Sequence, residues 1–426
     1  MTAIVGILNS RGLAFAADSA ATLEISSTHK ITNHANKIFE LSKYVPVGVA
    51  LYGNLDFMQL PWEQIIKMYR KHLSDTEFDT VSDFADDFFK YVRNLLSPFQ
   101  NGNYIKSRIQ HFVNSFYNEI ANTASDSLKQ KNQELSNENM ISFMRETMCD
   151  LGADYKKYKV CPDFEGISLE DFTSMFGAYI DEKLQECLSV INCANDFEQI
   201  FTETLYFILR SDRHVYSSFT GLVFFGYGTQ DLQPSYFAYQ ISELYDSKIK
   251  IIFSDKYRVR IDGGACIAPF AQTDVANTVV RGIDNDLRQL FYRQNKASLS
   301  QLVDAIISKL GEANAPQQLL DVLSGIDINS LSSTFQKSMD EIIWEKYVSK
   351  LMDIVKFLSK EDLADMAESL VKMTGLKRRV TTDEESVGGP VDVAVVTKVD
   401  GFVWIKRKHY FEPELNPNYF QRLKRD

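Results

Sequence analysis

Positive charge is in short supply in this chain, where 46 lysines and arginines face 57 aspartates and glutamates, leaving a formal net charge of -11. That balance argues against a general binder of nucleic acid, because neutralising phosphates needs a surplus of Lys and Arg on some face. The two short basic runs, Lys377-Arg378-Arg379 and Lys406-Arg407-Lys408, read as solvated ends of elements. No apolar run approaches the roughly 18 residues that would span a bilayer, and the N-terminus has no charged leader ahead of an apolar core. The expectation is a cytoplasmic protein with no membrane partner. Five cysteines (Cys149, Cys161, Cys187, Cys193, Cys266) form no CxxC pair, so neither a zinc site nor a disulfide framework is supported. Six histidines without an HExxH leave metal chemistry little to work with, and His29 and His34 read as structural. Internal repeats and low-complexity linkers are missing too, so no clean domain boundary is marked.

What is present is a folded chain of 426 residues, 45% hydrophobic and 24% charged. AIVGIL and LAFAA are apolar runs separated by the turn Asn9-Ser10-Arg11-Gly12, which predicts a hairpin. VPVGVAL reads as a third strand ending at Tyr52-Gly53-Asn54, followed by a helix from Leu55 to about Leu73. Thr80-Val-Ser-Asp83 resembles a capping box before a helix with Phe84, Phe88, Tyr91 and Leu95 on one stripe. The residues from about 84 to 215 are amphipathic and poor in glycine, a helical insertion. Strands return as GLVFFGYG, PSYFAYQI, KIKIIF and YRVRID, and helical pattern resumes after Gly263-Gly264. The last helix is capped by Ser359-Lys-Glu-Asp362, buries Leu363, Met366, Leu370 and Val371, and is expected to stop at Gly375. VDVAVVT and FVWIK close the chain as a hairpin. The pattern divides into core segments at 1–80, 216–290 and 359–426, interrupted by helical elaborations at 81–215 and 291–358.

Thr2 stands behind the initiator methionine at the head of the first strand. If Met1 is removed, Thr2 carries a hydroxyl and a free α-amine, so a nucleophile and a base titrating near pH 7.7–8.0 share one residue. Asp18 ends the second hairpin strand, and antiparallel geometry brings it beside the start of the first. Lys37 enters the next apolar stretch in Asn36-Lys37-Ile38-Phe39. A buried ammonium there favours the deprotonated amine and hydroxyl, and a carboxylate would keep it charged and aimed.

These segments carry a resemblance. TAIVGILNSRGLAFAADSAATL, NKIFEL and VALYGNLD resemble the opening of proteasome β-type subunits and of the bacterial ATP-dependent proteasome-like peptidase, which are N-terminal nucleophile (Ntn) hydrolases. GLVFFGYGTQDLQPSYFAYQI, RIDGGACIA and the stretch from Asp383 through VDVAVVTKVDGF resemble later parts of the same family, so the match covers roughly 2–72, 220–285 and 360–408. It implies an α+β fold, a four-layer αββα sandwich, and a threonine peptidase with no metal or organic cofactor. Small-molecule amide hydrolysis and a catalytically inactive scaffold or regulatory subunit are the alternatives. The implied nucleophile is Thr2, with Lys37 tuning its amine, Asp18 orienting Lys37, and the N–H of Gly53 donating to the oxyanion. Asp383 and Ser386, in DxxS spacing, match the pair that supports the threonine amine. Asp262-Gly263-Gly264-Ala265 has an aspartate where the family has a serine. The implied partners are a peptide or protein substrate and further copies of the chain; an ATPase partner finds no recognisable docking tail.

Overall fold

The computed structural model describes residues 2–25, 28–96, 103–131, 134, 136–188, 196–213, 219–245, 248–313, 315–381, 387–418 and 421. The chain begins with the hairpin β1 (Ala3–Asn9) and β2 (Gly12–Ala17), then a second hairpin β3 (Ala21–Ile25) and β4 (Thr28–Thr32), then β5 (Ile38–Glu40) and β6 (Val47–Gly53). A miniature ribbon of β7 (Asp56–Phe57) and β8 (Leu60–Pro61) leads into α1 (Trp62–Leu73). Helices α2 (Val81–Leu96), α3 (Asn103–Gln130), α4 (Asn137–Tyr155), α5 (Leu169–Leu188) and α6 (Phe197–Arg210) follow. The strands β9 (Thr220–Gly226), β10 (Ser235–Tyr245), β11 (Lys248–Arg258) and β12 (Ala265–Ala271) precede α7 (Asp274–Arg281), α8 (Asn285–Glu312), α9 (Gln317–Ser324) and α10 (Ile328–Ile343). A π-helical turn (Trp344–Val348) joins α10 to α11 (Ser349–Val355), and α12 (Lys360–Val380) leads to the hairpin β13 (Asp392–Thr397) and β14 (Gly401–Lys406).

Two antiparallel sheets of five strands result, ordered β12-β1-β2-β13-β14 and β11-β10-β9-β6-β5. The molecule is thus a mixed α+β protein. Every residue of β1 and β2 is buried, because each face of the first sheet is covered. Ile4, Leu8, Leu13 and Phe15 meet Ala50, Tyr52, Val223 and Phe225 of the second sheet. There the Phe15 and Phe225 rings stack with centroids 3.9 Å apart, and Gly6 leaves the room: a Cβ on it would lie 2.6 Å from Phe15 Cζ. On the opposite face Ala3, Val5, Ile7, Ala14 and Ala16 pack on Leu363, Ala364, Ala367 and Leu370 of α12. The small alanines let the helix approach closely. The second sheet presents Val49, Leu51, Leu222 and Phe224 to Trp62, Ile65, Phe84 and Phe88 of α1 and α2. Helices α3 to α6 form a separate apolar cluster around Phe116, Phe176, Phe201 and Leu205.

Several elements differ from the pattern read in the sequence. The helix expected from Leu55 starts at Trp62, because Met58 and Gln59 turn the chain with positive φ and Pro61 can only precede a helix. The strands β3, β4 and β5 were not distinguished before VPVGVAL. KIKIIF and the first two residues of YRVRID belong to one strand, β11, which bulges at Ser254 opposite Ala238/Tyr239, while its partner β10 bulges at Glu243. After Gly263-Gly264 a strand comes before any helix. Pro269 disguises it, yet β12 is an edge strand, where a missing N–H is tolerated, and Pro269 pairs with Val5. Helix α12 runs through Gly375 to Val380, since Gly375 is buried in helical conformation with no left-handed φ. The capping boxes do form, Thr80 with Asp83 and Ser359 with Asp362.

One buried cation lies outside any candidate site. Lys250 of β11 is buried, donates to the Ile208 carbonyl at 3.2 Å, and burial lowers its ammonium to about 8, with Cys161 and Asp212 acting in the opposite sense. An unfolded lysine keeps its proton to about 10.4. Between those values the unfolded chain binds more protons, so Lys250 makes stability rise with pH from about 8 to about 10.4. Lys250→Met is expected to remove that rise and to stabilise the fold below pH 8 by up to about 3 kcal/mol, read from urea unfolding of both proteins at pH 7 and pH 10. An identical pH slope in the variant counts against the assignment.

Candidate active site

The β1–β2 hairpin sets the first two members of the site. Ala17 pairs with Ile4, and the next amide, Asp18 N–H, donates to the Ala3 carbonyl at 3.1 Å. Asp18 thereby turns its carboxylate back on the start of β1: Oδ1 accepts from the Ala3 amide at 2.9 Å, and Oδ2 accepts from the Ala20 amide at 3.1 Å. Thr2, 4% exposed, is held from its other side, where its carbonyl accepts from the Gln272 amide at 3.1 Å just beyond β12.

Lys37 arrives from the second sheet. Its carbonyl accepts from Leu51 N–H of β6 at 2.9 Å, which anchors the residue beside the strand that ends at Gly53. Its side chain crosses to the first sheet, where Nζ donates to Asp18 Oδ1 at 2.7 Å and to the Ala20 carbonyl at 2.5 Å. Both side chains are 1% exposed or less. One oxygen, Asp18 Oδ1, therefore joins the Lys37 ammonium to the amide that immediately follows Thr2. Burial pushes the Lys37 ammonium below its ordinary value, opposed by the charge and hydrogen bond of Asp18. Lys408 adds a smaller push downward, and Asp392 a smaller one upward.

The fourth bond to Asp18 comes from far along the chain. Gly388 N–H donates to Oδ2 at 3.1 Å, while Ser19 N–H donates to the Gly388 carbonyl at 3.0 Å and Ser19 Oγ to the Pro390 carbonyl at 2.5 Å. Between them, Gly389 adopts φ 74° with Asn33 Cβ only 2.9 Å from where its own Cβ would lie. No other residue fits that position without strain. Gly388 and Pro390 thus close directly onto Asp18 and Ser19, whereas Asp383 and Ser386 lie outside the described residues.

Gly53 ends β6 opposite Thr220 with φ 79°, and a Cβ there would meet the Phe219 carbonyl at 2.4 Å. Tyr52 before it turns its ring to Phe270, the partner of Ile4, with centroids 6.2 Å apart. Asp262 is exposed and paired with Arg260, away from Asp18 and Lys37 in its bonding. The sequence reading did not find the buried pair of Asp392 and Lys408, in which the Lys408 amide donates to Asp392 Oδ1 at 2.9 Å and Lys408 Nζ to Oδ2. A signal was available: an acid inside the apolar run VDVAVVT must find a partner if that run is buried. Asp392 pairs with Ala17 across β13 and β2, and so stands beside Asp18. Among the described residues no group of His, Cys, Asp and Glu has the arrangement of a metal site.

The site is therefore a dry carboxylate–ammonium pair at the head of a fully buried strand, in an α+β protein of two facing antiparallel sheets. No protein-family model matches the chain, and no curated protein matches it either. Among solved structures it is similar to Anbu (ancestral beta-subunit) from Yersinia bercovieri, with 10% sequence identity over 99% of this chain and 94% of that one, at a TM-score of 0.30. A superposition that loose assigns no role to any residue.

Breaking the pair tests how tightly the site is built. Lys37→Met leaves the Asp18 carboxylate buried without a counter-charge and is expected to cost about 3–5 kcal/mol in urea unfolding. The double variant with Asp18→Asn is expected to regain part of that loss. A single variant within about 0.5 kcal/mol of the parent would mean that the pair is solvated in solution.

Proposed function

We propose that the chain is a threonine-type Ntn hydrolase with a four-layer αββα core, cleaving a peptide amide through an acyl-enzyme ester on Thr2. The observation that carries this reading is the shared Asp18 oxygen, which ties a desolvated Lys37 ammonium to the backbone at Thr2.

With Met1 removed, the Thr2 amine takes the proton from its own hydroxyl as Oγ1 attacks the substrate carbonyl carbon. The Lys37 ammonium disfavours protonation of that amine and stabilises negative charge developing on Oγ1. Lys37 keeps its place because Asp18 and the Ala20 carbonyl fix two of its three donors. The oxyanion of the tetrahedral intermediate is assigned to the Gly53 N–H, where the positive φ turns the backbone at the strand end. Collapse of the intermediate transfers the proton from the amine to the leaving nitrogen and breaks the C–N bond. Water, deprotonated by the same amine, then attacks the ester and releases Thr2 Oγ1. Asp383 and Ser386 are assigned to holding the amine through this cycle.

The expected mature protein begins TAIVG by intact mass, and a peptide epoxyketone, which bonds both the hydroxyl and the amine of an N-terminal threonine, labels the first peptide. Thr2→Ala abolishes labelling and turnover without unfolding the protein. Lys37→Ala slows acylation by roughly two or more orders of magnitude, since each 1.36 kcal/mol of lost stabilisation is tenfold in rate. Wild-type activity rises with pH through a midpoint below about 7.7–8.0, the free-amine value, and the midpoint moves up in whatever activity Lys37→Ala retains. Met1 on active molecules, or labelling that survives Thr2→Ala, overturns the reading. A processed N-terminus that neither labels nor hydrolyses any peptide would leave small-molecule amide hydrolysis or a scaffold.

A further inference from the structure

The strand β12 is the edge of the first sheet, and between it and the helices that follow lies a cavity of about 440 Å3. That volume falls within the roughly 300–1,000 Å3 of small-molecule sites. Its walls are mainly apolar: Ile267 from β12, Val280 from α7, Ile343 from α10, Trp344 and Val348 from the π-helical turn, and Met352 from α11. The helix from Ile328 to Val355 does not pass as one regular rod; the π-turn interrupts it at this cavity. Turns of that kind widen a helix by one residue and re-aim its side chains. Here the turn lays Tyr347 on Gly282, the left-handed cap of α7, so closely that a Cβ on Gly282 would lie 2.6 Å from the ring.

Five polar side chains line the cavity, the amide of Asn277 and four whose chemistry can be sorted further. Cys266 is neutral, because burial pushes its thiol up to about 12. Asp340 is committed, accepting from Arg288 Nη1 at 2.9 Å and from Tyr292 Oη at 2.7 Å. Arg288 also donates to Asn285 through Nη2 at 3.0 Å, yet its Nε is buried with no hydrogen-bond partner. Arg281, on the last turn of α7, has no carboxylate within ion-pairing distance among the described residues. Among the described residues the chamber thus carries one compensated ion pair, Arg288 with Asp340, and one guanidinium, Arg281, with no paired carboxylate.

We propose that this cavity is a binding site for a small amphipathic monoanion, a free medium-chain carboxylic acid whose head pairs with Arg281 and whose hydrocarbon body lies against Ile267, Val280, Ile343, Val348 and Met352. One uncompensated cation matches one negative charge; a phosphate dianion would be left with excess charge facing Asp340. The site makes no use of Thr2 or Lys37, so it stands apart from the hydrolase reading.

Octanoate, titrated calorimetrically into the full chain, is the probe. Saturable binding at one site per chain is expected, with octanamide at least tenfold weaker because it lacks the charge. Arg281→Gln is expected to weaken octanoate at least tenfold and to leave octanamide unchanged. Met352→Trp, which fills the chamber, is expected to abolish both. Thermal melts show that the variants are folded; should Met352→Trp fail to fold, Val280→Phe replaces it. No saturable octanoate binding by the parent chain overturns the proposal, as does octanoate binding unchanged in Arg281→Gln or in the cavity-filled variant.

Discussion

The Asp18 carboxylate accepts from four donors on four separate stretches of the chain: the Ala3 amide at the start of β1, the Ala20 amide after β2, the Lys37 ammonium ahead of β5, and the Gly388 amide ahead of β13. An ionised carboxylate in a dry interior is costly unless its lone pairs are filled, and here each acceptor oxygen has two donors. The same bonds close the loops around it. Because Ala3 and Ala20 are held by one side chain, the first hairpin cannot shift its register without exposing that charge. Because Gly388 is held by it too, the last hairpin reaches β2 in the register that places Asp392 opposite Ala17.

The two sheets face each other through aromatic rings on one side of β1 and rest on α12 through alanines on the other. That division explains how Lys37 can belong to one sheet by its backbone and to the other by its side chain. Its carbonyl is fixed by β6, and its methylene stem spans the gap to Asp18. A lysine has the length for this and a compact head that fits between a carboxylate and a carbonyl, where a planar guanidinium would not. Asp392 and Lys408 place a second opposed pair nearby, so charge beneath the first sheet is balanced locally although the whole chain is acidic.

Much of this was legible because it is local. The turn Asn9-Ser10-Arg11-Gly12 announces the first hairpin, and hairpin geometry alone puts Asp18 beside the head of β1. The capping boxes at Thr80 and Ser359 depend on side chains three residues apart and formed as read. Lys37 was legible as chemistry but not as geometry, since its burial depends on a sheet assembled from distant strands. The misses have the same cause. Strand β12 holds a proline that only an edge position excuses, and which strand is an edge is a tertiary fact. Gly375 signals a helix end in isolation, but α12 continues because its buried face still has the first sheet to pack on. The Gly388 amide carries no side-chain signal at all.

The position of β1 has a consequence for how the molecule comes into being. Its partners are residues 12–17 on one side and 265–271 on the other, and β2 in turn waits for residues 392–396. The first hairpin leaves the ribosome with both outer edges bare and its apolar faces uncovered. At the usual 5–20 residues per second, the closing hairpin follows on the order of 20–75 s later. Pairings of such long sequence separation make folding slow, and an open pair of apolar edges invites association with other chains in the meantime. The acidic, amphipathic helices made in that interval keep the growing chain charged while the sheet is incomplete. The carboxylate at Asp18 gains its Gly388 donor only after 370 further residues have been made, so the candidate site is completed long after its first strands.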